Sequence, residues 1–445
     1  MRLRPFLCPF IALLTLTLAA SAQQTPDPAE VLQRTGERLL ADLHRMPRYT
    51  CVQTITRTYY EAKQSWQHHS CSSLIAAHDS RKHKLTEQGW DRLRLEVALV
   101  GGNSVYSWVG APRFTDDTLD KLAGNGPLGS GDFGVFINGI LLHTTLDFTG
   151  ERVVDGRRMF EYSYEMPAGK SGYKVKVPDG WKVTGYTGTM LLDPEAKDLV
   201  NLVVRTDELP AESTACQATS EVTYARTSIH DRMVLVPHET RLHTIHATGH
   251  ETLSQTSYAS CREYSSTVKM IFDGKAISSG PVPAKTPDAE SSADEPSAAL
   301  PAGLHFNARV TTPIDPAIAA AGDPVEAVLL NPMHGKKKEV FAPAGAHLHG
   351  RLRTVKWWTE PSGNLQITVQ FESIEIGGKK VPLSAVLYQP SGAMLMALSS
   401  RRMMFVHPDD PLVGGTFFFR EARVPPKELD AEWITVAPKE AKDKE

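Results

Sequence analysis

Very little in this chain advertises chemistry. Only five of its 445 residues are cysteine and none forms a CxxC pair, which argues against thiol redox catalysis and against a structural zinc module. Beyond Ala22 no apolar run approaches the roughly 18 residues of a membrane-spanning helix, so no transmembrane span is expected in the mature chain. The charge is nearly balanced: 48 basic against 51 acidic side chains, net −3, gives no field that would recruit nucleic acid or an anionic membrane surface. There is no G-x-S-x-G elbow for an acyl-transfer serine. Gly169-Lys170-Ser171 ends like a phosphate-binding loop, but Tyr164 stands where the earlier glycine belongs and the surrounding residues favour strand. Ser266-Thr267-Val268-Lys269 has the S-x-x-K spacing without the companion motifs that chemistry needs. No nucleophile, base and orienting group can be assembled, so the sequence predicts binding or scaffolding without a cofactor rather than catalysis.

What is present begins with an export signal. Arg2 and Arg4 precede an apolar stretch from Phe10 to Ala20, too short to span a bilayer, and Ala20-Ser21-Ala22 has the small residues of a cleavage site. Residues 1–22 therefore read as a signal peptide, with the mature chain starting at Gln23 in a periplasmic or extracellular setting. Cys8 lies ahead of the apolar core, whereas a lipoprotein cysteine would follow it. The four remaining cysteines suit two disulfides in an oxidising compartment. Their grouping predicts Cys51 with Cys71, flanking one candidate hairpin, and Cys216 with Cys261, flanking another run of strands.

Asp27-Pro28-Ala29-Glu30 combines an N-cap, a proline at the first helical position and a carboxylate in the first turn, so a helix should start there. Its apolar stripe is Val31, Leu32, Leu39, Leu40 and Leu43, and Met46-Pro47 should stop it. From Tyr49 to Tyr59 the period becomes two and β-branched and aromatic residues dominate, which is a strand. Strand-like runs then succeed one another to Tyr264, as in a large antiparallel sheet, interrupted by a helical stretch from Asp132 to His143 after the glycine-rich run Gly124–Gly131. Ser278–Leu300, rich in Pro, Ala, Ser, Asp and Glu, reads as a linker. Strands resume after it, and the charged segment from Pro425 reads as a poorly ordered tail. The expected fold is mainly β (α+β): a curved-sheet domain over 23–277 with one or two packed helices, a linker over 278–300, a small β-barrel-like domain over 301–424, and a tail over 425–445.

The densest cluster of metal-ligand residues is His238 to His250. Its spacing does not fit the H-E-x-x-H helix, and on a strand His243 and His246 point to opposite faces, so a solvated strand with incidental histidines is expected in place of a metal site. Asp116-Asp117 and Glu372 with Glu375 are paired carboxylates only in sequence and suit a solvated surface.

The N-terminal helix, the strand series and the segment Gly188-Thr189-Met190-Leu191-Leu192-Asp193-Pro194-Glu195, followed by Leu199 to Arg205, resemble the lipoprotein-carrier superfamily of LolA- and RseB-like proteins over residues 28 to 273. That resemblance implies a curved sheet wrapped around helices, with an apolar cavity for acyl chains. Val153, Phe160, Tyr162, Tyr164, Met190, Leu192, Leu202 and Val204 alternate as one inward face should, the last seven being the candidate ligand-binding residues. The helix from Pro28 and the Phe133–Leu142 segment would serve as plugs or lids, with Gly124–Gly131 as a hinge. Periodicity does not distinguish a wall lining a ligand from one packed on a helix. The second domain resembles the C-terminal β-barrel of type IV secretion and conjugation channel proteins in Leu300-Pro301-Ala302-Gly303-Leu304-His305-Phe306, Gly322-Asp323-Pro324-Val325-Glu326-Ala327 and Ala342-Pro343-Ala344-Gly345-Ala346-His347-Leu348-His349-Gly350-Arg351-Leu352. From that resemblance only a barrel-like binding module is expected here. Together these imply an envelope protein holding a lipid or lipoprotein acyl chain and docking an envelope or cell-wall partner, with a structural or sensory interaction module as the alternative.

Overall fold

The computed structural model describes residues 26–62, 69–82, 84–100, 103–111, 114, 133–263, 271–272, 275–276, 300–335, 337–359, 363–389, 414–420, 424 and 429–437. The expected signal peptide, the glycine-rich run 124–131 and nearly all of the expected linker lie outside these residues.

Helix α1, Pro28–His44, starts where the sequence places it: Asp27 caps it by accepting from the Ala29 N–H at 3.1 Å, and Pro28 fills the first position. Val31, Thr35 and Leu39 form its buried stripe. Strand β1 is Tyr49–Ala62 and is followed by helix α2, Cys71–Asp79, which sequence reasoning missed. The signal for α2 is short: Ser70 caps it through Oγ to the Ser73 N–H at 3.3 Å, and only Leu74 and Ala77 are buried. Strands β2, Leu85–Val100, and β3, Asn103–Trp108, lead to α3, Phe133–His143.

From there the chain is strand: β4 Asp147–Val154, β5 Arg157–Met166, the side hairpin β6 Lys174–Val177 with β7 Gly180–Val183, β8 Tyr186–Asp193, β9 Asp198–Thr206, β10 Ala215–Ile229, β11 Arg232–His246 and β12 Glu251–Glu263. The pairings give one antiparallel order, β4-β5-β8-β9-β10-β11-β12-β1-β2-β3. The Asp-Pro-Glu turn joins β8 to β9, with Asp193 Oδ1 accepting from the N–H groups of Glu195 and Ala196, both at 2.9 Å.

That strand order corrects the disulfides. Because β12 lies beside β1, Cys51 bonds Cys261, not Cys71; because α2 lies on β10, Cys71 bonds Cys216. The predicted local pairs, Cys51 with Cys71 across a candidate hairpin and Cys216 with Cys261 across a run of strands, give way to one bond between neighbouring strands 210 residues apart and one between α2 and β10 145 residues apart.

After the small hairpin β13 Ile271–Phe272 and β14 Lys275–Ala276, the C-terminal region comprises β15 His305–Val310, β16 Pro324–Leu329, β17 Met333–His334, β18 Val340–Ala342, β19 His347–Trp358, β20 Asn364–Ile376, β21 Lys379–Pro382, β22 Ala385–Gln389, β23 Gly415–Phe419 and β24 Ala431–Thr435. Its main strands run β22-β24-β15-β16-β19-β20-β23, and a 3.2 Å bond from the Leu387 N–H to the Gly414 carbonyl links the two ends. The tail expected from Pro425 is corrected by β24: Trp433 is fully buried, 4.7 Å from Phe371 between ring centres, and β15 and β22 flank its strand. Five alternating residues amid charge were too short a signal to read.

The two regions share backbone. β2 pairs with β19 through Asp91–Lys356, Trp90–Trp357 and Gly89–Trp358. Gly89 is needed there: at φ +153° a Cβ would sit 2.0 Å from the Trp357 carbonyl oxygen. Arg57 makes two 2.7 Å bonds to Asp91 in the buried seam, and Tyr59 donates to the same carboxylate at 2.8 Å. Arg94 pairs with Asp323 across the junction, and Ala321 exchanges backbone bonds with Arg92 and Arg94.

Candidate functional site

The site is built where α1 and α3 lie on the long sheet. Sequence alternation puts Phe160, Tyr162 and Tyr164 on one face of β5, Met190 and Leu192 on β8, and Leu202 and Val204 on β9. The register sets them side by side, with Phe160 opposite Leu192, Tyr162 opposite Met190, and Met190 opposite Leu202. All seven are buried in one cluster with Val31 and Leu39 of α1 and Ile137 and Ile140 of α3. Tyr162 donates to the Pro28 carbonyl at 2.7 Å, tying the helix start to the sheet, and burial pushes its hydroxyl pKa up to about 12. Tyr164 donates to the Val203 carbonyl at 2.6 Å across Gly188, where a Cβ would lie 2.5 Å from the tyrosine oxygen. Val153 does not join them; on the outer strand β4 it is 71% exposed.

Beside this cluster is an apolar slot of about 50 Å³. Leu39 and Leu43 of α1, Met46 just beyond its end and Ile137 of α3 form one side; Gln53, Val97, Tyr106, Tyr224, Leu235 and Tyr258 of the sheet form the other. None of the seven predicted residues lines it; they form the packed core next to it. The lining residues escaped sequence reasoning because they come from β1, β2, β3, β10, β11 and β12, which only the strand order gathers. Burial raises the pKa of Tyr224 and Tyr258, so both phenols stay neutral. The one ionised lining group, Asp42, is bound by Arg226 at 2.7 Å, and Arg226 also holds Asp198. Gln53 is 2% exposed, and its Oε1 has no hydrogen-bond partner among the described residues. The slot is therefore apolar and free of unpaired charge, with one buried acceptor in its wall.

The two helices are held differently. α1 is tied to the sheet by Tyr162, by Arg38 to the Ala196 carbonyl at 2.6 Å, and by Arg226. Among the described residues, α3 is held by apolar packing, with Phe136 5.8 Å from Tyr173 and from Tyr186 between ring centres. A second recess, of about 260 Å³, lies where Arg94 and Asp323 meet the 312–319 loop; its walls are mainly apolar, from Pro313, Ile314, Ile318, Val325 and Leu352, with Arg94, Asp315 and Asp323 at the charged side.

No family model and no curated protein matches this chain. Solved structures similar to part of it include a DUF1329 family protein from Desulfovibrio piger, at 7% identity and TM-score 0.27, covering 54% of this chain and 94% of that one. A LolA superfamily protein from Nitrosomonas europaea matches at 9% identity and TM-score 0.24, covering 54% and 95%. An outer membrane lipoprotein-sorting protein domain from Vibrio parahaemolyticus matches at 11% and 0.26, covering 53% and 91%. At such identities and TM-scores these likenesses assign neither a family nor an activity.

The histidine run also finds its place. His246 accepts or donates to Thr252 Oγ1 at 2.9 Å, while His243 is gathered with His78 of α2 and Glu251 of β12. Sequence reasoning weighed His243 against its neighbours in the run; the ligand-capable partners come instead from a helix 165 positions earlier and from the adjoining strand. Among the described residues, no helix is long and apolar enough to cross a membrane.

Proposed function

We propose that this is an exported envelope protein that binds an apolar chain, a lipid or a lipoprotein acyl group, between α1, α3 and the sheet. The observation that carries the reading is the apolar slot with a buried, unpaired Gln53 acceptor in its wall. At about 50 Å³ it has room for small molecules of the size of water, so an acyl chain enters only when a helix moves. α3, held by packing alone among the described residues, is the mobile lid, and lifting it would bare the Phe160, Tyr162, Tyr164, Met190, Leu192, Leu202 and Val204 face. The C-terminal region would serve as the docking face for an envelope protein or cell-wall partner, in keeping with exposed Val340 and Tyr388. Two disulfides support an oxidising compartment.

The test is titration of the delipidated, folded full chain with a fluorescent fatty acid. Saturable binding is expected, weakened about 10-fold or more in Ile137→Trp, which fills the slot. Absence of binding by the folded chain would leave the structural or sensory interaction module.

A further inference from the structure

Helix α2 and the β11–β12 hairpin bring together three side chains that the apolar slot does not use. On α2, Leu74 and His78 are one turn apart and share a face. On β11, Ile245 and His243 share a face by the two-residue period, and the register puts Ile245 opposite Glu251. Leu74 packs on Ile245 in a small cluster beside Cys216, so the next helical turn delivers His78 to His243 and Glu251. The Cys71–Cys216 bond anchors the start of the helix, and Asp79 pairs with Arg205 at 2.7 Å at its end. The trio is thus fixed from both directions.

The geometry converges on one oxygen. His78 Nδ1 lies 3.1 Å and His243 Nε2 2.6 Å from the same Glu251 Oε2, and the three ligand atoms all lie within 4.8 Å of one another. The two imidazoles stack at 4.5 Å between centres with their planes 23° apart. Glu251 is buried, its side chain 1% exposed, whereas His78 is 40% and His243 22% exposed, so the group is floored by the carboxylate and open on the histidine side. In a tetrahedral zinc site with bonds of about 2.0–2.2 Å, ligand atoms stand about 3.3 Å apart. Rotation of the rings about χ2 supplies the small opening required.

We infer that His78, His243 and Glu251 form a binding site for a divalent transition metal of the zinc type. Two imidazoles and one carboxylate suit Zn²⁺, and disfavour Ca²⁺ and Mg²⁺, which take oxygen ligands. With three protein ligands the fourth position is left to solvent, and the ion joins α2 to the β11–β12 hairpin at the end opposite the disulfide.

The test uses the full-length mature chain, stripped with chelator and titrated with Zn²⁺ by calorimetry and with Co²⁺ by visible absorption. One ion per chain is expected, with the Co²⁺ d–d band of a tetrahedral site and a raised unfolding midpoint in Zn²⁺. His78→Ala, on the half-exposed helix, and Glu251→Gln should each weaken binding about 100-fold or more, since loss even of a supporting group costs 10–100-fold. His246→Ala, whose side chain bonds Thr252, should leave it unchanged. Circular dichroism checks that each variant is folded. Failure of the folded wild type to bind one ion, or full binding retained in folded His78→Ala, overturns the assignment.

Discussion

The N-terminal and C-terminal regions are both antiparallel β-structures, yet they are stabilised in contrasting ways. The first spreads its apolar residues over four separate clusters, carries both disulfides and rests helices on its sheet. The second gathers Phe306, Phe371, Phe417 and Trp433 into one continuous core, and its described residues hold no helix of four or more residues and no disulfide. If a ligand enters beneath α3, as proposed, the N-terminal region cannot depend on a single close-packed core, because lifting the lid would expose all of it. Covalent links between distant strands allow a helix to move while the sheet stays closed. On the proposed function, the difference is one between a holder and a support.

The comparison breaks most sharply at the core of the support. Trp433→Ala should destabilise the C-terminal region by about 3–5 kcal/mol, seen as an early transition in urea denaturation, because a large buried side chain leaves a cavity that β-structure cannot refill. In the holder, Cys51→Ser with Cys261→Ser should cost about 2–5 kcal/mol by releasing a 210-residue separation in the unfolded chain, with the C-terminal transition little changed. Peptide mapping without reductant should yield Cys51 linked to Cys261 and Cys71 linked to Cys216; local pairs instead would undo the strand order. At the seam, Arg57→Met leaves Asp91 buried beside Tyr59 and should cost about 3 kcal/mol, so that both regions are affected together in calorimetry. The smallest effect is expected from Arg94→Ala, whose partly exposed pair with Asp323 is worth about 0.5–1 kcal/mol. A larger loss there would mean that the junction, more than either core, sets the stability of the chain.

The sequence disclosed what local chemistry controls. Asp27-Pro28 fixed the start of α1, the Asp193 turn fixed the β8–β9 hairpin, and period-two runs located most strands. The Phe160 to Val204 face was legible for the same reason, since alternation and a tight turn decide which side chains share a surface. It hid whatever depends on which distant strands meet. Cys51 finds Cys261 only because β12 returns to β1, the walls of the slot come from six strands, and His78 reaches Glu251 only through a nine-residue helix whose apolar signal is two buried side chains. Strand β24 was hidden by its brevity and its charged flanks.

In each region a strand near the start is hydrogen-bonded to one near the end: β1 to β12, and β15 to β24. Synthesis therefore withholds the closing partner until the end. As the chain emerges, β1 waits about two hundred residues for its neighbour, and β15 waits for a strand that ends at Thr435, so neither sheet can seal early. A nascent chain kept open in this way needs protection from edge-to-edge pairing until its final strands arrive.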